Sequence, residues 1–389
     1  MSPLQGAPIS RRLVVSGLCG AGLLSALPRP LPARTIARLD ERIQHHMRLA
    51  GIPGPALGLA RDGAVVDVRG YGLADVQGER PVGPDTLFHI ASITKTITAL
   101  AISRLAQDGR LGLDTPVAGH LDFEIAGPNA DRITWRHLLM HTSGLSDRVY
   151  YETDFRTRGA DSPLSLRDFL VSYLAPGGRH AGTGNLIGVP GARWDYCNVG
   201  YGLLGYLAER LVGEDFRSWI GERLFQPLGL ERMVWRLEDL TADVATPYER
   251  GDSGLVATEP VGFPDWPAGM LRASATDLTR LMAVVANGGS AADHPVLSPA
   301  ANAEMLRMER PEGLPDWLTG QGLGWQESLL DGLPTINHWG GDPGVFTMAY
   351  LDPASRSAAV VLSNLSATPE SRIALKAIAS EGLHRLRRA

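Results

Sequence analysis

Lysine is nearly absent from this chain. Of its 37 basic residues only two, Lys95 and Lys376, are lysine, and the other 35 are arginine. A guanidinium keeps its proton in a protein while an ammonium can release it, so a retained lysine is a candidate for proton-transfer chemistry. Cysteine is as scarce, with Cys19 and Cys197 the only two, which excludes a disulfide-stapled scaffold. Positive charge is not in excess either. The formal net charge is -5, which supplies no basic footprint for nucleic acid. No internal repeat occurs, and a Pro-rich junction near the N-terminus is the one biased stretch. No apolar run is long enough for a confident membrane span.

What remains is the composition of a soluble folded protein, 44% hydrophobic and 20% charged. Its 389 residues suffice for one large domain or two ordinary ones with a substantial core. The first 33 residues stand apart. Arg11 and Arg12 precede an apolar run from Leu13 to Leu27, the pattern of a twin-arginine export signal, with cleavage expected near Ala26 or Ala33. Removing residues 1–33 would take away three arginines and no acid, moving the net charge from -5 to -8. It would also remove Cys19 and leave Cys197 without a partner. The expected location is therefore the periplasm, or the cytoplasm if the segment is not cleaved.

Strand signals sit at both ends of the rest. "PALGLA" and "AVVDVRG" flank Arg61-Asp62-Gly63, and "VFTMAYL" and "SAAVVLS" flank Asp352 to Arg356, two hairpin patterns. A last helix is expected from Thr368-Pro369-Glu370. Between them lie helical patterns: "TWRHLLMH", "SLRDFLVSYL" with a Ser165/Asp168 capping box, "VGYGLLGYLAERLVG" and "FRSWIGERLF". The economical architecture is an α/β fold in which terminal strands form one antiparallel sheet flanked by helices. Residues 34–125 and 265–389 would form the sheet domain and residues 126–264 an inserted, mostly helical domain, with a site at their junction.

Ser92 precedes Lys95 by three residues in a segment with helical spacing (Ile93, Ile97, Leu100, Leu105) that ends at Gly109. Residues i and i+3 share a helix face, so hydroxyl and amine can meet. Burial away from carboxylates would lower the lysine pKa and make a nucleophile with its own base. This is the one Ser-x-x-Lys in the chain. Two other patterns are weaker. His137 and His141 stand at i and i+4 as zinc ligands can, but Leu138 occupies the place of a metalloprotease glutamate and no third ligand is evident, so both histidines read as structural. "GDSGL" (Gly251 to Leu255) imitates a trypsin-type loop by four letters and breaks at Leu255. No Gly-x-Ser-x-Gly elbow and no phosphate loop occurs.

The chain resembles the serine β-lactamase and penicillin-recognising superfamily over roughly residues 40–385. "SITK" matches its Ser-x-x-Lys motif, "YCN" (Tyr196 to Asn198) its Tyr-x-Asn motif, and "HWG" (His338 to Gly340) its Lys-Thr-Gly or His-Thr-Gly strand. "HLLMHTSGL" (His137 to Leu145) resembles a further stretch of its helical region. Tyr-x-Asn points to the branch of class C β-lactamases, D-alanyl-D-alanine carboxypeptidases, D-aminopeptidases and family VIII carboxylesterases. The resemblance implies a β-lactamase/transpeptidase-like fold and no metal or organic cofactor. By position, Ser92 would be the nucleophile of an acyl-enzyme, with Lys95 and Tyr196 sharing base and acid duty. Asn198, His338, Trp339 and Gly340 would bind substrate, and the backbone N–H groups of Ser92 and Gly341 would form the oxyanion hole. Tyr196 would need a lowered pKa, supplied by Lys95 and a protonated His338.

The expected activity is hydrolysis of an ester or a peptide or D-amino-acid amide, acting on a small molecule or peptide. Alternatives are a weak β-lactamase, an acyltransferase of the same fold, or a penicillin-binding sensor without turnover. His338 in place of lysine and Trp339 in place of threonine weigh against β-lactams.

Overall fold

The computed structural model describes residues 32–181, 185–240, 243–291 and 294–388. The segment read as an export signal, with Arg11, Arg12 and Cys19, lies outside the described residues. No helix among those described is long and apolar enough to cross a membrane.

The chain enters through helix α1 (Ala33–Ala50) and turns at once into a hairpin, β1 (Pro55–Arg61) and β2 (Ala64–Gly70). Asp62 and Gly63 both take positive φ, 53° and 78°. That is the geometry a two-residue hairpin needs to match strand twist, and Asp-Gly is the pair that tolerates it. Further along come α2 (Thr94–Gln107), α3 (Asn198–Val212) and α4 (Ala275–Ala286). The C-terminal third supplies β3 (Gly320–Gln321), β4 (Gln326–Leu330), β5 (Leu333–Asp342), β6 (Val345–Asp352) and β7 (Ser357–Ser363), and α5 (Pro369–Arg388) closes the chain.

These strands form one seven-stranded sheet in the order β3-β4-β5-β6-β7-β1-β2, antiparallel throughout. The N-terminal β1 lies beside the C-terminal β7, with Pro55 opposite Ser363 and Arg61 opposite Ser357. The expected α/β architecture, an antiparallel sheet of terminal strands flanked by helices, is thus the observed one. Alternation of side chains divides the sheet's two faces. Leu57, Leu59, Met348, Tyr350 and Val361 pack with Leu375 and Ile378 of α5 and with Leu39 and Ile43 of α1. Ala56, Ala60, Leu351, Val360 and Leu362 belong to the larger core, with Leu278 and Leu281 of α4 and the helices between the strands.

Two local expectations differ in detail. Ser165 caps its helix by accepting from the Asp168 N–H, but its hydroxyl also donates to the Asp168 carboxylate at 2.8 Å, so the box is not reciprocal through the backbone. "TWRHLLMH" forms only a short helix, Trp135–Leu139, and His141 beyond it turns to φ 59°.

One feature of β5 positions the site. β4 pairs with it no further than Asn337, opposite Gln326, while β6 accompanies it to Asp342. Residues 338–342 therefore present a free strand edge.

Candidate active site

Ser92 sits in a 3-10 turn, Ala91–Ile93, that leads into α2; the serine is not in the helix itself as its spacing suggested. Ala91 carries φ 46°, a left-handed conformation uncommon for a residue with a Cβ. The i, i+3 separation survives, because Lys95 is in the first turn of α2 and its Nζ lies 3.1 Å from Ser92 Oγ. Lys95 is 0% exposed. Its other two hydrogens go to Asn198 Oδ1 and to the Ala268 carbonyl, each at 2.7 Å.

Burial lowers the Lys95 pKa, as expected, but the surroundings are not free of carboxylates: Asp265, Asp147 and Asp342 all act to raise it. Desolvation is the larger effect, so more of the amine is in its free-base form near neutral pH than in a solvent-exposed lysine.

Tyr196 lies half-buried against Lys95, whose Nζ is 5.0 Å from the ring centre. The ring also stacks on His141 at 4.4 Å. The expected direction of its pKa is reversed. Desolvation pushes the phenol well above its usual range, with the Ser92 hydroxyl opposing and Asp147 adding to the rise. A protonated His338 is not there to help. That imidazole is 2% exposed, and burial followed by the Lys95 charge lowers its pKa to about 3. His338 Nδ1 bonds the Trp339 carbonyl at 2.9 Å, so the proton is on Nδ1. Nε2 is a bare acceptor with no partner among the described residues.

Asn198 begins α3 and is doubly tied, with Oδ1 on Lys95 and Nδ2 donating to Tyr151 Oη at 3.1 Å. Beneath it is a residue that sequence reasoning passed over. Asp147, 3% exposed, accepts from the N–H groups of Asn198 (2.6 Å) and Val199 (3.1 Å) and from Cys197 Sγ (3.2 Å). It anchors the N-terminus of α3, where a negative charge is favoured. The only hint in the sequence is its place two residues past "HTSGL".

Gly340 lies against the Ser92 turn: a Cβ there would come within 2.3 Å of the Ile90 carbonyl and 2.8 Å of Ser92 N. Only glycine lets β5 approach this closely. Gly341 next to it is exposed on the free edge. Trp339 stands 5.9 Å from Trp317, itself 51% exposed, and Arg372 covers the Trp339 ring at 5.4 Å.

Ser92, Tyr196, Asn198, His338, Trp339 and Gly341 line one cleft of about 650 Å³. Lys95 and Gly340 lie directly behind its wall. The segment Tyr150 to Arg156 forms a further side of it. Two carboxyl groups, Asp265 and Asp342, also line it beside apolar side chains such as Phe263 and Met270. Burial raises Asp265 above the usual carboxylate range and Asp342 to about 7.

The two histidines that imitate a zinc pair serve locally. His137 completes a capping box with Thr134. His141 accepts the Cys197 N–H at 3.1 Å while it stacks on Tyr196.

Comparison with known proteins bears on the family and the fold. The beta-lactamase family profile matches residues 39–383. Penicillin-binding protein 4 of Amycolatopsis lactamdurans is 31% identical over 343 residues, covering 83% of this chain and 82% of that protein. Esterase EstB of Burkholderia gladioli is 29% identical, covering 77% and 81%. The crystal structure of D-amino acid amidase from Ochrobactrum anthropi SV3 superposes with a TM-score of 0.75 at 20% identity, over 90% of this chain and 99% of that one, a likeness of fold. The chain belongs to the beta-lactamase family and is a serine hydrolase of that superfamily.

Proposed function

We propose that the protein cleaves an ester or a peptide or D-amino-acid amide through an acyl-enzyme on Ser92. The observation that carries this reading is the fully buried Lys95, with Nζ 3.1 Å from Ser92 Oγ and a pKa lowered by desolvation. In its free-base form Lys95 takes the Ser92 proton as Oγ bonds to the substrate carbonyl carbon. The oxyanion is held by the N–H groups of Ser92 and Gly341. Tyr196, kept as a phenol by burial, gives its proton to the departing alkoxide or amine and is reprotonated from Lys95. Deacylation repeats the steps with water: its proton passes to Lys95, its oxygen bonds to the acyl carbon, and Ser92 Oγ leaves with a proton returned to it.

Mass analysis after fluorophosphonate treatment, on wild type and Ser92→Ala, tests the nucleophile. One adduct on wild type and none on the variant is expected, and equal labelling of both refutes the assignment. Turnover of p-nitrophenyl butyrate, a D-amino-acid amide and nitrocefin then separates the readings. Ester or amide hydrolysis well above nitrocefin is expected. Dominant nitrocefin turnover would favour a β-lactamase, and acyl transfer to an added alcohol or amine over water would favour an acyltransferase. Stable labelling by penicillin without turnover of any substrate would favour a sensor.

A further inference from the structure

On β5 alternate residues share a face, which places His338, Gly340 and Asp342 together. Gly340 is the one pressed on the Ser92 turn, so the other two flank the nucleophile, each roughly 7 Å along the strand. Both carry acceptors without protein donors. His338 Nε2 is buried and unpartnered. No hydrogen bond to the Asp342 carboxylate occurs among the described residues. The ionisable side chain within ion-pair distance of it is His89, whose Nε2 lies at 3.5 Å, and that nitrogen is committed to the Gly269 carbonyl at 2.7 Å. His89 is also held neutral, its pKa lowered to about 3 by burial and by Arg272.

The cations nearby are all occupied. Arg156 grips Asp154 with two nitrogens, at 2.7 and 3.0 Å. Arg272 spends its donors on the carbonyls of Met270, Val261 and Trp235. Lys95 bonds Ser92, Asn198 and Ala268. Asp265, on the same cleft, adds a second negative charge whose bond comes from the Tyr150 hydroxyl at 3.1 Å. A substrate carboxylate meets two carboxyl groups here, and an ammonium meets in Asp342 a partly buried acceptor with no protein donor.

From this geometry we infer that Asp342 anchors a substrate ammonium group next to the scissile carbonyl, and that the preferred substrates are amides of α-amino acids with a free amino group. The position of the residue sets the distance. Asp342 directly follows Gly341, the proposed oxyanion donor, and an α-amino nitrogen is two bonds from the carbonyl carbon. On the opposite side of Ser92, the bare His338 Nε2 accepts one N–H, which an amide leaving group has and an ester lacks. The inference rests on the acyl-enzyme reading for its chemistry, but the anchor can be tested without it.

The kinetic test compares alanine p-nitroanilide with its N-acetyl form, in both enantiomers, on wild type, Asp342→Asn and Asp342→Glu. Wild type is expected to prefer the free amine at least tenfold, Asp342→Glu to keep part of that preference and Asp342→Asn to lose it. Calorimetric binding of alaninamide and N-acetylalaninamide to Ser92→Ala, with and without Asp342→Asn, isolates the anchor from catalysis. Amine-dependent binding that disappears with Asp342→Asn supports the anchor even if Ser92 never labels, an outcome that defeats only the acyl-enzyme reading. Equal handling of free and acetylated amines by wild type, or a preference that survives Asp342→Asn in protein that still melts cooperatively, overturns it.

Discussion

The two walls of the cleft follow opposite rules. On the helical wall the polar groups around Ser92 are largely partnered inside the protein, His141 Nε2 being an exception. Lys95 makes three hydrogen bonds, Asn198 uses both ends of its amide, and Asp147 accepts three donors. On the strand wall the buried His338 Nε2 has none among the described residues, and the partly exposed Asp342 carboxylate accepts no hydrogen bond there. A saturated network is held in one arrangement whether or not substrate is present, while an unpartnered buried acceptor costs free energy until a donor reaches it. On the proposed reading, the first wall is set for chemistry and the second is left for recognition.

The comparison breaks most sharply on the helical wall. Lys95→Arg keeps a positive charge but cannot accept the serine proton, so kcat/KM should fall ~10²–10⁴-fold; activity within a few-fold of wild type would remove Lys95 from the base role. Gly340→Ala tests where the walls meet. Its Cβ would strike the Ile90 carbonyl and Ser92 N, forcing β5 off the nucleophile turn, and a displaced oxyanion donor typically costs ~10²–10³-fold in kcat. Ester kinetics that leave kcat unchanged would show that the close approach does not matter.

Smaller effects sharpen the contrast. Asp147→Asn turns amide hydrogens toward one or two of its three donors and should cost about 1–3 kcal/mol in stability, with lower kcat as Asn198 loses its footing. Chemical denaturation and steady-state kinetics check both, and an unperturbed midpoint would deny it the anchoring role. The smallest expected effect has the opposite sign. Asp342 has its pKa raised to about 7, against ~3.9 in an unfolded chain, so the unfolded state releases its proton first as pH rises. Between roughly pH 4 and 7 this carboxyl makes the fold progressively less stable, and above that the penalty is complete. Asp342→Asn should therefore melt higher than wild type at pH 8, with the gap shrinking toward pH 4. A gap that is constant with pH would mean that the carboxyl is well solvated.

The contrast also marks what the sequence could convey. The hairpin at Asp62-Gly63 and the serine one turn from a lone lysine are local patterns, legible because the interacting residues are neighbours in the chain. The free edge at residues 338–342 was not legible, since it depends on where β4 stops pairing. Asp147 acts on a helix 51 residues away, a distance no spacing rule spans. The direction of the Tyr196 pKa was misjudged for the same reason. Charges can be guessed from motifs, but the desolvation that outweighs them is set by packing that only the fold creates.

The partnership of Gly340 with the Ser92 turn has a consequence in time. Ser92 and Lys95 leave the ribosome early, and the strand that carries Gly340 and Gly341 leaves roughly 10 to 50 s later at ~5–20 residues per second. The sheet closes only when β7 arrives to sit beside β1. On the proposed mechanism a growing chain thus holds a serine and its base but no place for the oxyanion. The protein is born chemically silent, and its first turnover reports that the strand carrying Gly341 has joined the closed sheet.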